Sequence, residues 1–477
     1  MPKFRIEHDF LGSKQVPIDA YYGIQTLRAV ENFPITGYRI SEVLIQAFAM
    51  VKKSAALANM NMGHLNPIIG QPIVQAATEI IEGKLKDQFI VDPIQGGAGT
   101  SINMNVNEVI ANRALEIMDE EKGNYEIVSP NSHVNMAQST NDSFPTSTHL
   151  AVIRLLGNLL YTMGIMLDEF KKKARDFNRV IKMGRTHLQD AVPIRLGQEF
   201  AAYSHVIERD MQRIKESSHP LFYVNIGSTA VGTGLNADPH YTESVVKHLR
   251  EISQLDIRHA GHSVDATQNT DAYTEVSSVL KICMINMSKI ANDLRLMASG
   301  PRSGFHEIKL PSRQPGSSIM PGKVNPVMAE VINQVAFQVS GNDLSISLAS
   351  AAGQLELNVM EPVLVFNLLQ SINMMNNVFQ SFTKYCLVGI EPYEDTMKSY
   401  VEKSIGIITA ISPYLGYEIS SKLAREALLS EKSIRQLCLE HHVLTREQLD
   451  IILDPYEMTN PGISGEKQLG YDTSKHK

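Results

Sequence analysis

The chain has 477 residues, of which 43% are hydrophobic and 20% are charged, and these globular proportions exclude wholesale disorder. Its 44 Lys and Arg against 51 Asp and Glu give a net charge of −7, which disfavours general nucleic-acid binding because polyanion binders normally carry a basic excess. Three widely spaced cysteines without a CxxC pair disfavour a disulfide scaffold, and no uncharged apolar stretch reaches 18 residues, so we expect a cytoplasmic protein with no membrane span.

Residues 1–140 are predicted to form a mixed, mostly helical domain in which Pro and Gly separate short pieces. Apolar residues recur every four positions over 41–59 and predict a helix there. The glycine-rich start of 94–107 predicts a turn that leads into another helix.

Residues 141–395 are predicted to form a bundle of long packed helices. Residues 265–299 contain no Gly or Pro, and their apolar positions step alternately by four and three, which predicts a heptad seam: Val276, Leu280, Cys283, Met287, Ile290, Leu294 and Met297. Residues 327–379 are apolar on more than one face, so we expect these helices to be buried on several sides, in a bundle or an oligomer. Residues 396–477 are predicted to be a small helical domain, and the whole chain is predicted to be mainly α.

Four polar segments stand out against this helical background: 96–101, 138–142, 184–190 and 316–326. The first two suit anion binding at a helix N-terminus, although the first could be an ordinary helix cap. The third contains His187, which could be a general acid or base or a structural histidine. The fourth is not a phosphate loop, because Val324 follows Lys323 where Ser or Thr is required. Neither a hydrolase G-x-S-x-G elbow nor a dinucleotide fingerprint accompanies it.

These segments together resemble the aspartase/fumarase superfamily. The loop GSSIMPGKVNP at 316–326 matches the superfamily signature, and the likeness continues in QSTNDSFPT from 138, GRTHLQDAVP from 184, GSTAVGTGLN from 227 and GGAGTSINMNVNEV from 96. The STND and GGAGT pieces resemble the aspartase branch, in particular its Bacillus-type members, whereas class II fumarases typically read SSND and GSGT there. The resemblance covers nearly the whole chain.

The resemblance implies a three-domain, mostly helical fold in which five long central helices per subunit assemble into a twenty-helix core of a homotetramer. It implies that each active site takes segments from three subunits. The implied activity is that of a carbon–nitrogen lyase, which reversibly deaminates L-aspartate to fumarate and ammonia. We expect no cofactor, no metal ligand and no nucleic-acid partner.

Residue by residue, the resemblance makes Ser317 the base that removes the β-proton. It assigns the β-carboxylate to Ser318, Ser139 and Thr140, and the α-carboxylate to Thr186, Lys323 and Asn325. The surroundings of the amino group fall to Thr100, Asn141 and His187, with His187 counted as catalytic, and Glu330 is expected to pair with the active-site histidine. We also expect the 313–325 region to close over the substrate.

Two alternatives stay open. A class II fumarase would add water rather than ammonia to the same product, fumarate. A catalytically silent structural protein on this scaffold is disfavoured, because Ser317, Lys323, Asn325 and His187 are all present.

Overall fold

A computed structural model describes residues 3–430 and 432–470 of the chain. The chain opens with an antiparallel hairpin and four helices: β1 (Phe4–Asp9), β2 (Gly12–Pro17), α1 (Ile24–Asn32), α2 (Glu42–Asn61), α3 (Pro67–Ile81) and α4 (Thr100–Ile117). A single π-helical turn, Pro130–Val134, precedes the long helices. The helix predicted over 41–59 and the glycine turn that leads into a helix near residue 100 are both confirmed.

The middle of the chain consists mainly of long helices joined by short strand pairs. The helices are α5 (Thr140–Asp176), α6 (Leu196–Ser217), α7 (Tyr241–Ser253), α8 (Ser263–Gln268), α9 (Asp271–Met297), α10 (Val327–Ala351) and α11 (Glu361–Tyr385). The strands are β3 (Ile181–Thr186), β4 (Gln189–Arg195), β5 (Tyr223–Val224), β6 (Arg258–His259), β7 (Ile308–Lys309) and β8 (Glu391–Pro392). β5 and β6 pair in parallel, while β3–β4 and β7–β8 pair antiparallel.

The C-terminal part is built from five further helices: α12 (Glu394–Lys403), α13 (Ile408–Ser430), α14 (Ile434–Glu440), α15 (Arg446–Ile452) and α16 (Glu466–Leu469). α13 is kinked at Gly416, where the backbone leaves helical geometry. A compact apolar cluster that includes Ile411, Leu437 and Leu449 holds these helices together. The chain is therefore mainly α, as predicted.

The predicted heptad seam is confirmed, because all seven of its residues are buried on α9. Two details differ from the sequence pattern. The glycine- and proline-free stretch is broken between α8 and α9, where the Thr270 hydroxyl bonds with that of Ser350 at 2.8 Å. Conversely, α10 runs unbroken through Gly341, where nothing lies within 4 Å of the position that a Cβ would occupy.

The chain divides into two compact units. The first unit contains the residues up to Tyr161 together with Asp210–Met284 and Val335–Asn377, and the second contains Thr162–Arg209, Ile285–Gln334 and the residues from Val378 onward. Each of the five long helices α5, α6, α9, α10 and α11 contributes residues to both units. The predicted three-domain division at 140/141 and 395/396 stays a prediction.

Within the described residues, α5 alone is long and apolar enough to cross a membrane by length and composition. Its most apolar 18-residue stretch is 61% buried inside the protein. Such burial is typical of a core helix, which passes the same test of length and composition.

Candidate active site

The segment 96–100 is a tight glycine turn that ends where α4 begins. Gly97 and Gly99 have φ angles of 87° and 84°, a backbone region that glycine adopts without strain. Gly99 must also lack a side chain, because a Cβ there would overlap the ring of buried Phe144. The turn places exposed Thr100 at the first position of α4, where its N–H and its hydroxyl donate to Gly97 O at 2.9 and 2.7 Å.

The segment Ser139–Asp142 is anchored by a fully buried carboxylate, Asp142. Its Oδ1 accepts the backbone N–H of Ser139 at 3.0 Å, and its Oδ2 accepts those of Gly227 and Thr229 at 3.1 and 2.9 Å. Burial raises the pKa of the Asp142 carboxyl to about 7, while the backbone donors oppose that rise. Asp142 thus ties the segment from Ser139 to the segment from Gly227.

Asn141 is fixed between the same two segments. Its Nδ2 donates to the backbone carbonyl of Ala230 at 2.7 Å, and its own backbone carbonyl accepts from Asn225 Nδ2 at 3.0 Å. We use the name polar cluster for residues 139–142 and the 225–230 segment, together with Asn103 and Asn135. Asn103 donates to Thr140 and to Asn135, and Asn135 donates to the backbone carbonyl directly before residues 139–142. The polar cluster lies wholly in the first unit.

Thr186 and His187 lie at the tip of the β3–β4 hairpin. Thr186 pairs with Gln189, so His187 and Leu188 form a two-residue turn, with positive φ angles of 55° and 59°. Such turns normally use Asn or Gly, because other side chains are strained in this region. Strain of this kind often marks a functional position. The turn carries His187, with Thr186 directly before it, and both side chains are exposed to solvent.

A buried ionic cluster supports this hairpin. Glu307, whose side chain is fully buried, accepts from Arg185 Nη1 at 2.7 Å and lies 3.2 Å from Lys182 Nζ, which also bonds Glu199 at 3.0 Å. The Arg185 guanidinium stacks over the Phe305 ring, 4.2 Å from its centroid. Because Arg185 directly precedes Thr186, these contacts fix the base of the turn.

Residues 312–325, which we call the serine loop, connect β7 to α10. The loop is mostly exposed and lines an open cleft that includes Ser317 and Lys323. Its neck is closed by Gly316 N–H donating to Lys323 O at 2.7 Å and by Asn325 Nδ2 donating to Gly316 O at 2.9 Å. The loop is therefore held mainly at its two ends.

Within this loop, the Ser317 hydroxyl oxygen accepts two backbone hydrogen bonds. Its Oγ accepts the backbone N–H groups of Ile319 at 3.2 Å and Met320 at 3.0 Å. Two donors aimed at an oxygen favour its deprotonated form, in the manner of an oxyanion hole. Ser318 and Lys323 are exposed on the same loop, and half-buried Glu330 lies in the first turn of α10.

The predicted site residues fall into three groups. Thr100, Ser139, Thr140 and Asn141 lie in the first unit, and Asn103 Nδ2 links α4 to Thr140 Oγ1 at 3.1 Å. In the second unit lie the hairpin pair Thr186 and His187, and the group Ser317, Ser318, Lys323, Asn325 and Glu330. In the described part of the chain, no hydrogen bond joins the His187 turn to the serine loop.

Sequence reasoning did not single out Asp142 or Glu307. Asp142 had a usable signal, since a run of four polar residues at a helix start is more than a cap requires. Glu307 had no such signal, because its partners Lys182 and Arg185 are more than 120 positions away in the chain. Among the residues that the structure describes, no group of three or more His, Cys, Asp or Glu side chains could hold a metal ion.

Comparison with known proteins places this geometry in a family. A family model described as "Lyase" matches residues 12–341, and one described as "Fumarase C C-terminus" matches residues 407–460. Aspartate ammonia-lyase of Bacillus subtilis is 69% identical over 98% of this chain and 98% of its own, and that of Helicobacter pylori is 49% identical over 96% and 98%.

Comparison with solved structures gives the same superfamily. The fumarate lyase/delta-crystallin structure from Brucella melitensis bound to cobalt has a TM-score of 0.94 at 44% identity, covering 96% of this chain and all of its own. The class II fumarase of Schistosoma mansoni has a TM-score of 0.92 at 33% identity, with the same coverage. The chain therefore belongs to the aspartate ammonia-lyase family within the aspartase/fumarase superfamily.

Proposed function

We propose that the chain catalyses the reversible deamination of L-aspartate to fumarate and ammonia. The likeness that carries this proposal is 69% identity to an aspartate ammonia-lyase over 98% of both chains. The geometry supports it through Ser317, whose oxygen accepts two backbone N–H groups and so suits a base.

Deamination begins with loss of a proton from the carbon next to the β-carboxylate. Ser317, as its alkoxide, takes this proton, and the carboxylate becomes an aci-carboxylate with two negative charges. The C–N bond then breaks, the electron pair of the new carbanion forms the double bond of fumarate, and the amino group leaves. The site must bind the doubly charged intermediate more tightly than aspartate.

The polar cluster supplies donors for that added charge. Ser139 Oγ accepts the N–H of Asn141 at 3.2 Å, and Thr140 Oγ1 accepts from Asn103, so each hydroxyl keeps its own proton for the substrate. Preorganised donors of this kind are each worth about 3 kcal/mol of barrier, because they need no reorientation when charge develops. With Ser318, these residues would hold the β-carboxylate.

The α-carboxylate would bind Thr186, Lys323 and Asn325. Lys323 adds a full positive charge, which a dianionic substrate requires. Thr100, Asn141 and His187 would surround the amino group, and Glu330 would pair with His187.

We also propose that the protein is a homotetramer whose sites combine segments from three subunits. Apolar side chains on one face of α10 support this, since Phe337, Leu344 and Leu348 are 61–68% exposed in the single chain. A contiguous exposed apolar face usually marks a subunit interface. A cytoplasmic location is proposed as well, supported by three cysteines that are free and buried.

The activity is tested by incubating the purified protein with aspartate or malate and following fumarate by its ultraviolet absorbance and ammonia by a coupled assay. We expect fumarate and ammonia in equal amounts from aspartate. Fumarate formed only from malate, without ammonia from aspartate, would instead establish the fumarase alternative.

The shared site is tested by mixing two inactive variants, Ser317→Ala and Asn141→Ala, and refolding them together. If Ser317 and Asn141 reach one site from different subunits, about a quarter of the sites in an equal mixture are intact and activity returns. If both residues of a site come from one chain, the mixture stays inactive. Light scattering on the parent protein checks for four times the mass of one chain.

A further inference from the structure

Buried amide side chains next to Thr140 control the direction in which its hydroxyl can donate a hydrogen bond. Asn103, one turn after Thr100 on α4, is 1% exposed. Its Nδ2 donates to Thr140 Oγ1 at 3.1 Å and to Asn135 Oδ1 at 3.2 Å, which uses both amide protons. Thr140 Oγ1 is therefore an acceptor toward the protein. Its own proton has no acceptor among residues 3–430 and 432–470.

The orientation of Asn103 is not arbitrary, because a buried lysine fixes it. Lys52 is completely buried, and its Nζ donates to Asn135 Oδ1 and Gln138 Oε1, both at 2.9 Å. Burial lowers the pKa of Lys52 to about 7, but in either protonation state its nitrogen carries at least two protons, one for each contact, so Asn135 turns its oxygen toward Lys52. Asn103 reaches the same oxygen and must therefore present its nitrogen there.

Two further contacts hold this arrangement. Asn107 Nδ2 donates to the same oxygen of Asn135 at 3.1 Å, and Ser143 Oγ, whose one proton is shared with Ser139 O at 2.8 Å, lies 3.2 Å from Asn103 Oδ1. A flipped Asn103 would lose its bonds to Asn135 and Thr140 and set its oxygen against the oxygen of Asn135. Lys52 thus orients Asn135, and Asn103 donates both to Asn135 and to Thr140.

We propose that Asn103 is a positioning residue that directs the Thr140 hydroxyl proton to the substrate carboxylate, and that Lys52 sets the orientation of Asn103 through Asn135. This inference rests on the proposed function, in which Thr140 holds the β-carboxylate. A carboxylate is only an acceptor, and the inward contact from Asn103 leaves the Thr140 proton free to point toward it. The donor is then in place before charge develops on the aci-carboxylate.

The direct test is Asn103→Asp, which replaces the donating nitrogen by an oxygen of the same size. The Thr140 hydroxyl would then donate inward to the introduced carboxylate, away from the substrate. We expect kcat/KM for aspartate to fall by about 100-fold, the effect of one lost oxyanion donor. The inhibition constant of succinate, a dicarboxylate without the amino group, should rise about tenfold.

The test of mechanism is the same substitution in a Thr140→Val background, where there is no hydroxyl to direct. If Asn103 acts through Thr140, the effect of Asn103→Asp should shrink to within about threefold. A residue with a merely structural role would lower kcat/KM equally in both backgrounds. That result would overturn the proposal.

Asn105→Asp is the matched control. Asn105 lies on the same helix with the same 1% exposure, but it bonds the backbone of Gln88 and Ile90. We expect thermal unfolding to change in both variants and succinate inhibition to change only in Asn103→Asp. An equal loss of succinate affinity in Asn105→Asp would show a general effect of buried charge and contradict the proposal.

Asn103→Leu serves if Asn103→Asp does not fold. It removes the donor without adding charge, so the Thr140 hydroxyl becomes free to rotate, and we expect about a tenfold loss of kcat/KM that again disappears with Thr140→Val. A loss that persists in that background would reject the role. If the parent does not deaminate aspartate, the proposed function fails, while succinate binding measured by calorimetry still decides the orientation of Thr140.

Discussion

The polar cluster and the serine loop, which the proposed function assigns to one substrate, differ in how their residues are held. In the polar cluster, Asp142 is fully buried and receives three backbone N–H groups, and Asn141 is held by two separate hydrogen bonds. The serine loop is mostly exposed and closes on itself at Gly316 and Asn325. The first region is packed into the protein, and the second is exposed in the single chain.

The difference indicates a division of labour. Fixed donors stabilise developing charge best when they need no reorganisation, so they belong in a packed region. A base that must admit substrate and then exclude water belongs on a segment that can close, and closure strengthens every electrostatic contact inside. One contact outside the loop bears on its motion: the Arg313 guanidinium lies 4.3 Å from the centroid of the Tyr385 ring.

The largest expected effect is on chemistry and comes from the serine loop. Ser317→Ala should lower kcat by about a thousandfold or more, because it removes the base itself. The melting temperature should stay unchanged, because the Ser317 hydroxyl bonds only its own loop. Steady-state kinetics with differential scanning calorimetry check both. A variant within tenfold of the parent would remove Ser317 from the role of base.

The comparison is sharpened by two glycines with almost the same backbone. Gly99 in the 96–100 turn has a φ of 84°, and Gly322 in the serine loop has a φ of 83°. A Cβ at Gly99 would overlap the buried Phe144 ring, whereas at Gly322 it would meet nothing within 4 Å. Because only backbone strain is shared, Gly99→Ala should lower the free energy of unfolding by about 3 kcal/mol and Gly322→Ala by about 1 kcal/mol.

Denaturant unfolding of the two alanine variants measures this pair. Since the two substitutions are chemically identical, each variant is the control for the other. Equal losses of stability would mean that the 96–100 turn is no more tightly packed than the serine loop. The contrast between this packed turn of the first unit and the exposed serine loop would then fail.

The helices were predictable from the sequence, but the contacts that order the site were not. The α9 seam follows from spacing alone, because each apolar residue is three or four positions from the next. Lys52 and Lys53 are adjacent and chemically identical in the sequence, yet Lys52 is buried and Lys53 is not fully so. The partners of Lys52, Asn135 and Gln138, lie 83 and 86 positions away, beyond any local pattern.

The site followed the same rule. The short motifs named candidate substrate-binding residues, because those residues are contiguous with glycines and hydroxyls, and these assignments stay predictions. The supporting residues Asn103, Asp142 and Glu307 gain their roles from partners in other segments. Burial of a polar side chain depends on tertiary structure, which periodicity does not encode.

Asp142→Asn should weaken the polar cluster. The replacement keeps one oxygen but turns an amide N–H₂ toward at least one backbone donor, leaving a buried N–H without an acceptor. We expect a loss of about 1–3 kcal/mol in the free energy of unfolding together with lower kcat/KM. Urea unfolding is the measurement, with Asp168→Asn, an exposed position on α5, as the control. Lower activity with unchanged stability would show that Asp142 does not anchor the cluster.

Lys323→Met should affect affinity and leave the fold intact. The Lys323 side chain is exposed in the serine loop, so no packing is lost. Removing one charge-assisted contact to the α-carboxylate should raise KM for aspartate about tenfold, equivalent to about 1.4 kcal/mol. The dependence of initial rate on aspartate concentration checks this. An unchanged KM would contradict the assignment of Lys323 to the α-carboxylate.

The smallest effect concerns stability against pH and arises in the first unit, where a carboxyl is buried outside the polar cluster. Burial alone raises the pKa of Glu361 from 4.5 to about 8. Between these values the unfolded chain loses its proton while the folded chain keeps it, so the stability from this group falls as pH rises toward about 8. Glu361→Gln cannot ionise, so it should match the parent near pH 5 and melt about 3 °C higher near pH 9. Exposed Glu356→Gln is the control. If the melting temperatures of Glu361→Gln and the parent changed with pH in the same way, the pH dependence would arise from another group.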